Sequence, residues 1–202
     1  MNDYAAIAKK MLSTARFEHS LRVADCAAAL ARRLGADESK AYECGLLHDI
    51  MKDSPLAFQL QTIAKTDIIL TSVELRNPGL IHAVAGEAFM RAELGIDDPE
   101  LLNAVRYHTT GRAAMSLLEK IIYIADYISD DRTYNGVDEM RRLAGESLEA
   151  AMLFALKFTI GKLISRQTVI HTDSVECYNE LVSALPAGEK EKPKDIQQGS
   201  RP

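Results

Sequence analysis

The chain of 202 residues has no tryptophan, only three cysteines, six prolines and eleven glycines, and lacks any excess of basic over acidic residues. Cys26, Cys44 and Cys177 form an odd set without C-x-x-C spacing. That excludes a disulfide framework and a cysteine zinc site, and it fits a reducing, cytoplasmic setting. Lys and Arg number 24 against 29 Asp and Glu, a net charge of −5. A general coat protein for DNA or RNA is disfavoured by that surface. Every apolar stretch is interrupted by charge well before the roughly 18 residues of a membrane span, and the opening Met1 to Lys10 lacks the basic start and unbroken apolar run of a signal peptide. What the chain does have is a 47% hydrophobic composition, enough for the core of one domain.

Glycine and proline punctuate apolar stretches that recur every three or four residues, so the fold class is all-α. Ser13 is placed to cap a helix running toward Gly35, with His19, Val23, Cys26, Leu30 and Leu34 on one stripe. A second helix ends beyond Cys44 to Asp49 and puts Ala41, Gly45 and His48 on its inner face. Pro55 suits a helix start and Thr66-Asp67 a further cap. After the break at Asn77-Pro78-Gly79, a helix runs through Ile81 to Phe89 and stops near Gly95. Asp98-Pro99 reads as N-cap and N1 of a helix with Leu101, Val105 and His108 on one face, ended by Thr109-Thr110-Gly111. Ser116 and Glu119 form a capping box for the helix carrying Ile122 and Asp126. Two more helices are expected, around Glu146 to Ser165 and from Thr172 or Asp173 to Leu185. The domain therefore spans residues 1–185, and 186–202, rich in Pro, Gly, Lys, Glu, Gln and Ser, read as a disordered tail.

Histidine placement is the informative chemical feature. Four of the five histidines, His19, His48, His82 and His108, lie in apolar helical segments; Asp49 directly follows His48, and Asp126 sits in a very apolar helix. A single buried histidine is more often a hydrogen-bonded core residue than a ligand. The ordered set His, His-Asp, His, His, Asp, one contribution from each helix, points instead to a metal site inside a helical bundle. Imidazole and carboxylate suit first-row divalent metals, and a cation removes the cost of several kcal/mol for burying Asp126 unpaired. Neighbouring helix residues differ by about 100° in direction, so His48 and Asp49 border a metal at the helix edge, where Asp49 is able to bridge two ions.

The segments His19-Ser20-Leu21-Arg22-Val23-Ala24, Gly45 to Lys52, Tyr107-His108-Thr109-Thr110-Gly111 and Ile124-Ala125-Asp126-Tyr127-Ile128 resemble the HD-domain superfamily of phosphohydrolases, and within it the bacterial YqeK family. The likeness runs from about Arg16 to Leu185. It implies a single HD-type helical bundle that cleaves diadenosine tetraphosphate symmetrically to two ADP by attack of a metal-bound hydroxide. It also implies that His19, His48, Asp49 and Asp126 hold iron or a similar divalent metal (Mn, Co or Mg), as one or two ions. Asp49, Lys52, His82 and His108 become the catalytic candidates, with His82 and His108 binding phosphate or a second metal. His19, Asp49, Lys52, His82, His108, Thr109, Asp126, Arg132 and His171 become the substrate contacts.

Two segments depart from the family pattern. Ser129-Asp130-Asp131-Arg132 replaces the usual Glu-Pro-x-Arg, and by itself Arg132 reads as a surface partner of the adjacent acids. Ile170-His171-Thr172 stands where His-Pro commonly precedes Thr, and by itself His171 reads as an exposed residue of a capping stretch. The expected partners are a dinucleoside polyphosphate and ADP, without general nucleic-acid binding and without a membrane, and with a homodimer left open. Competing readings are another HD-type enzyme, a nucleoside monophosphate phosphatase or cyclic nucleotide phosphodiesterase, or a non-catalytic nucleotide-binding module.

Overall fold

The structure is a computed structural model that describes residues 3–186. Apart from Pro186, the segment expected to be a disordered tail lies outside the described residues. Among those described there are eleven α-helices and no strand: α1 (Tyr4–Met11), α2 (Thr14–Leu34), α3 (Glu38–Leu47), α4 (Leu56–Ile63), α5 (Ser72–Arg76), α6 (Pro78–Ala92), α7 (Pro99–Arg106), α8 (Leu117–Ile128), α9 (Val137–Glu146), α10 (Leu148–Ser165) and α11 (Thr172–Ala184). No helix among them is long and apolar enough to cross a membrane.

Helix α8 is the axis of the bundle. It packs against α2, α3, α7, α9 and α10, and Leu118, Ile121, Ile122, Tyr123, Ile124 and Ala125 are all buried. Each such aliphatic side chain contributes about 1.5–3 kcal/mol by leaving water. Its start is fixed by the expected capping box: Ser116 Oγ accepts from the Glu119 N–H at 3.2 Å while a Glu119 carboxylate oxygen accepts from the Ser116 N–H at 2.7 Å. Asp98 caps α7 in a similar way, its side chain accepting from the Glu100 N–H at 2.9 Å.

Helices α2 and α3 approach so closely that a Cβ on Gly45 meets the Ala24 Cα at 2.6 Å and its N at 2.8 Å. The small residues Ala24, Ala27, Ala31 and Ala41, all fully buried, complete this seam. The buried stripe of α2 is His19, Ser20, Val23, Ala24, Ala27, Leu30 and Ala31. Cys26 is only half-buried and Leu34 is exposed, so the stripe read from the sequence drifts off the face at those two positions. Cys26 follows a three-residue step that falls short of the helical period and so sits at the edge of the face, while Leu34 is the last residue of the helix.

Other boundaries also move. Ser13 occupies the N-cap of α2, but its hydroxyl makes no cap bond; it donates to Asp53 Oδ2 at 2.7 Å. Thr71, not Thr66-Asp67, caps the helix before Asn77, with Glu74 closing its box. Residue Glu146 ends α9, a separate helix that the sequence reading missed along with α1, and α10 begins at Leu148.

Candidate metal centre

Five elements deliver side chains to one buried point. His19 comes from α2, His48 is the C-cap of α3 with Asp49 next in the following turn, His82 lies in α6, and Asp126 in α8. His108 was expected on the face of α7. That helix ends at Arg106, so His108 stands in the turn beyond, which Gly111 closes at φ +64° with its N–H on the Tyr107 carbonyl at 2.8 Å. His48 is also one residue past its helix. Its backbone stays helical there (φ −53°, ψ −38°), so His48 and Asp49 keep the roughly 100° relation of helical neighbours and border the cluster from two directions.

The rings are held by a repeated device. His48, His82 and His108 each donate Nδ1–H to the carbonyl three residues earlier: Gly45 at 2.6 Å, Gly79 at 2.7 Å and Val105 at 2.7 Å. His19 Nδ1 bonds Asp131 Oδ2 at 2.7 Å. With Nδ1 committed as donor, a neutral ring presents its Nε2 lone pair, which is how metal-binding histidines are oriented. All four Nε2 atoms face the acids. His19 Nε2 is 3.1 Å from Asp126 Oδ1, and His48 Nε2 is 3.5 Å from Asp49 Oδ2 and 3.9 Å from Asp126 Oδ1. Asp49 Oδ1 is 3.1 Å from His82 Nε2 and 3.5 Å from His108 Nε2.

Ligand atoms of His19, His48 and Asp126 lie within 4.8 Å of one another, as do those of His48, Asp49 and His108. The four residues expected to bind metal therefore fall into two overlapping groups that share His48, with Asp49 beside His108. His48 Nε2 and Asp49 Oδ1 are buried without a hydrogen-bond partner. Buried acceptors left unpaired are costly, and a divalent cation among them satisfies both. The residues present fit such an ion.

The electrostatics agree. Burial opposes the charge of Asp49, but His48, then contacts with His108 and His82, hold its carboxyl well below the usual range. Burial likewise opposes the Asp126 charge, and His19, His48 and Arg132 overcome it, again lowering the pKa. Burial, aided by His108 and Lys52, takes His82 down to about 4, so its ring is neutral near pH 7.

Around this core stand the remaining candidates. Lys52 Nζ is 3.1 Å from His82 Nε2 and 3.9 Å from Asp49 Oδ1. The Thr109 hydroxyl is 3.1 Å from His108 Nε2. Arg132 pairs with Asp126, through both its carboxylate and its backbone carbonyl, and not with Asp130 or Asp131 as its neighbours in the chain suggested. His171 is set apart: it is buried rather than exposed, its Nδ1 accepts from the Asp173 N–H at the start of α11, and its Nε2 lies 3.5 Å from the Thr71 hydroxyl.

Two contributors escaped sequence reasoning. Arg16 donates to Asp49 Oδ2 at 2.9 Å, and Asp131 orients His19. The available signal for Arg16 was its position one helical turn before His19. Asp131 carried none beyond belonging to an acidic pair.

A buried cluster of imidazoles and carboxylates in an all-α bundle defines a metal-binding helical domain of the HD kind. The chain belongs to the HD domain family, whose pattern matches residues 16–131. It is 39% identical over 185 residues to the protein of Bacillus subtilis (strain 168) named "Bis(5'-nucleosyl)-tetraphosphatase, symmetrical", covering 91% of this chain and 99% of that one. A relative of the same name from Halalkalibacterium halodurans is 35% identical, over 87% of this chain and 94% of its own length. Among solved structures, a "predicted HD superfamily hydrolase involved in NAD metabolism" from Clostridium acetobutylicum superposes with a TM-score of 0.86 at 39% identity, covering 89% of this chain and 95% of that one.

Proposed function

We propose that this chain is a metal-dependent hydrolase that cleaves diadenosine tetraphosphate symmetrically into two ADP. The observation that carries the reading is the pair of buried, unpartnered atoms His48 Nε2 and Asp49 Oδ1 at the meeting point of the imidazoles, in a chain whose relatives are named symmetrical tetraphosphatases.

His19, His48, Asp49 and Asp126 would hold the ion. A donor set of nitrogen and oxygen without thiolate suits iron or another divalent metal such as Mn, Co or Mg. When bound, such an ion supplies Lewis acidity and brings the pKa of coordinated water toward neutrality.

The chain's own groups bind and orient the polyphosphate. Lys52 places an ammonium beside His82 and Asp49, where it offsets charge gathering on phosphate oxygens. Arg132 serves the same end beside Asp126, while His82, His108 and the Thr109 hydroxyl line the phosphate side. His171 supports the start of α11 rather than touching the cluster. Nucleophilic attack by cysteine has no support: burial raises the Cys44 thiol well above its usual range and pushes Cys177 up to about 11. The three free thiols support a reducing, cytoplasmic setting.

The test is hydrolysis of diadenosine tetraphosphate by metal-loaded protein, with products separated by anion-exchange chromatography. ADP alone is expected. AMP together with ATP rejects symmetrical cleavage, preferential turnover of nucleoside monophosphates or cyclic nucleotides rejects the substrate, and bound metal without turnover of any nucleotide leaves a binding module.

A further inference from the structure

The carboxylate that orients His19 sits on a turn with little of its own to hold it. Between Ile128, the last residue of α8, and Arg132 the chain bends once, with the Arg132 N–H on the Ser129 carbonyl at 2.9 Å. From this bend Asp131 bonds His19 Nδ1 at 2.7 Å. Asp130, Asp131 and Thr133 are exposed, and no apolar side chain between Ile128 and Tyr134 anchors the segment.

Arg141, on α9, holds it instead. Its Nε donates to the Ile128 carbonyl at 3.1 Å, and its Nη2 donates to the Ser129 and Arg132 carbonyls at 3.0 and 2.9 Å. One planar guanidinium thus gathers both ends of the bend. The Ile128 and Ser129 carbonyls also belong to the open end of α8, where the helix dipole favours a cation. The base from which Arg141 projects is firm: Val137, Met140 and Ala144 are buried, and α9 packs against α8 and α10. The Arg33 guanidinium of α2 donates to the Ala144 carbonyl, so the helix that carries His19 is tied to the helix that carries Arg141.

We propose that Arg141 is a positioning residue for the metal: by fixing the bend at 129–132 it sets the Asp131 carboxylate against His19, and so aims His19 Nε2 into the cluster. The inference rests on the proposed reading of that cluster as a metal centre and adds to it a residue outside the ligand set. A plain cap of α8 would contribute stability alone.

Competition with a chelator separates the two roles. It measures the Mn²⁺ affinity of the wild type, Arg141→Ala, Asp131→Ala and the double variant, each well below its unfolding midpoint. Groups that orient a ligand are worth about 10–100-fold in metal affinity, and Arg141→Ala, one step further out, should weaken binding by about tenfold. Once the Asp131 carboxylate is gone Arg141 has nothing to aim, so the double variant should match Asp131→Ala within about twofold, the margin to which independent effects add. Arg141→Lys keeps the charge at the end of α8 but not the planar fork, and should regain Tm without regaining affinity. Asp138→Ala, which removes only the exposed carboxylate bonded to Arg141 Nη1 at 3.1 Å, should bind as the wild type does. A lowered Tm with unchanged affinity in Arg141→Ala overturns the proposal and leaves a cap. Losses that multiply in the double variant, or full affinity in Arg141→Lys, overturn it as well. The expected pattern in a protein that cleaves no nucleotide keeps the role of Arg141 and rejects the hydrolase, whereas a wild type that binds no Mn²⁺ rejects both.

Discussion

The Nε2 atom of His82 lies 3.3 Å from the Nε2 atom of His108, and both rings have already committed their Nδ1 protons to backbone carbonyls. Two lone pairs therefore face each other, with the Asp49 carboxylate beside them. Acceptors gather this way only around positive charge. Lys52 lies near enough to supply some of it and Arg132 serves the pair formed by His19 and Asp126, but the buried His48 Nε2 has no partner.

Removing a central ligand should empty the site. Asp49→Ala and His48→Ala are expected to lose bound metal and turnover together, read by elemental analysis beside the hydrolysis assay. A fully active Asp49→Ala protein contradicts the arrangement.

Lys52→Ala should separate those two readouts. Its ammonium neighbours the cluster without belonging to the ligand set, so metal content should hold while kcat falls by roughly 10²-fold, the scale for one lost charge-stabilising donor. Metal loss in this variant, or an unchanged kcat, contradicts that role.

Asp131 acts on the site through His19. Without its carboxylate the His19 ring loses the 2.7 Å bond that fixes its tautomer, and supports of this kind are worth about 10–100-fold in metal affinity. Asp131→Ala should show that loss in competition with a chelator. Unaltered affinity would mean that α2 packing alone sets the ring.

Much of this site was legible before folding because its residues are out of place in their surroundings: histidines and acids embedded in apolar helices stand out against the period. The capping residues Asp98 and Ser116 were legible for a different reason, since their chemistry is local. What did not show was anything made by distant partners on ordinary surface residues. Arg16 and Asp131 are charged residues of the commonest kind until the fold sets them against Asp49 and His19. Ser13 looked like a plain cap because nothing in the sequence reveals that Asp53, forty residues on, accepts from its hydroxyl. Helices α1 and α9 were missed beside stronger neighbours, and His171 looked exposed because burial against Thr71 is a tertiary contact.

Gly45 joins packing to chemistry. Its missing side chain lets α3 rest on the α2 backbone, and its carbonyl anchors His48. The atoms a Cβ meets are backbone and cannot swing aside, so Gly45→Ala should cost about 3 kcal/mol, the upper end for overpacking. Urea unfolding measures this, and a cost under about 1 kcal/mol would show that the seam yields. The variant should also bind metal more weakly, because the His48 ring moves with its anchor.

The Ser13–Asp53 contact should reveal itself through pH. Burial weakly opposes the Asp53 charge, but bonds from the Ser13 hydroxyl and N–H, helped by Arg16, lower its pKa below the ordinary 3.8. A carboxyl with a depressed folded pKa stabilises the protein fully above its unfolded value, and this contribution disappears as pH falls through the folded one. Asp53→Asn should therefore lower Tm by about 1–2 °C at pH 7, the shift expected for ~0.5 kcal/mol in a chain of this size once solvent screening at the exposed Asp53 is allowed for. Below pH 4 the gap should narrow, as wild-type Asp53 takes up its proton and comes to resemble the amide. Thermal melts of both proteins at pH 7 and pH 3 decide the matter: a gap that is constant or widens in acid would show that the Asp53 charge contributes nothing to holding α2 against the turn that carries Asp49.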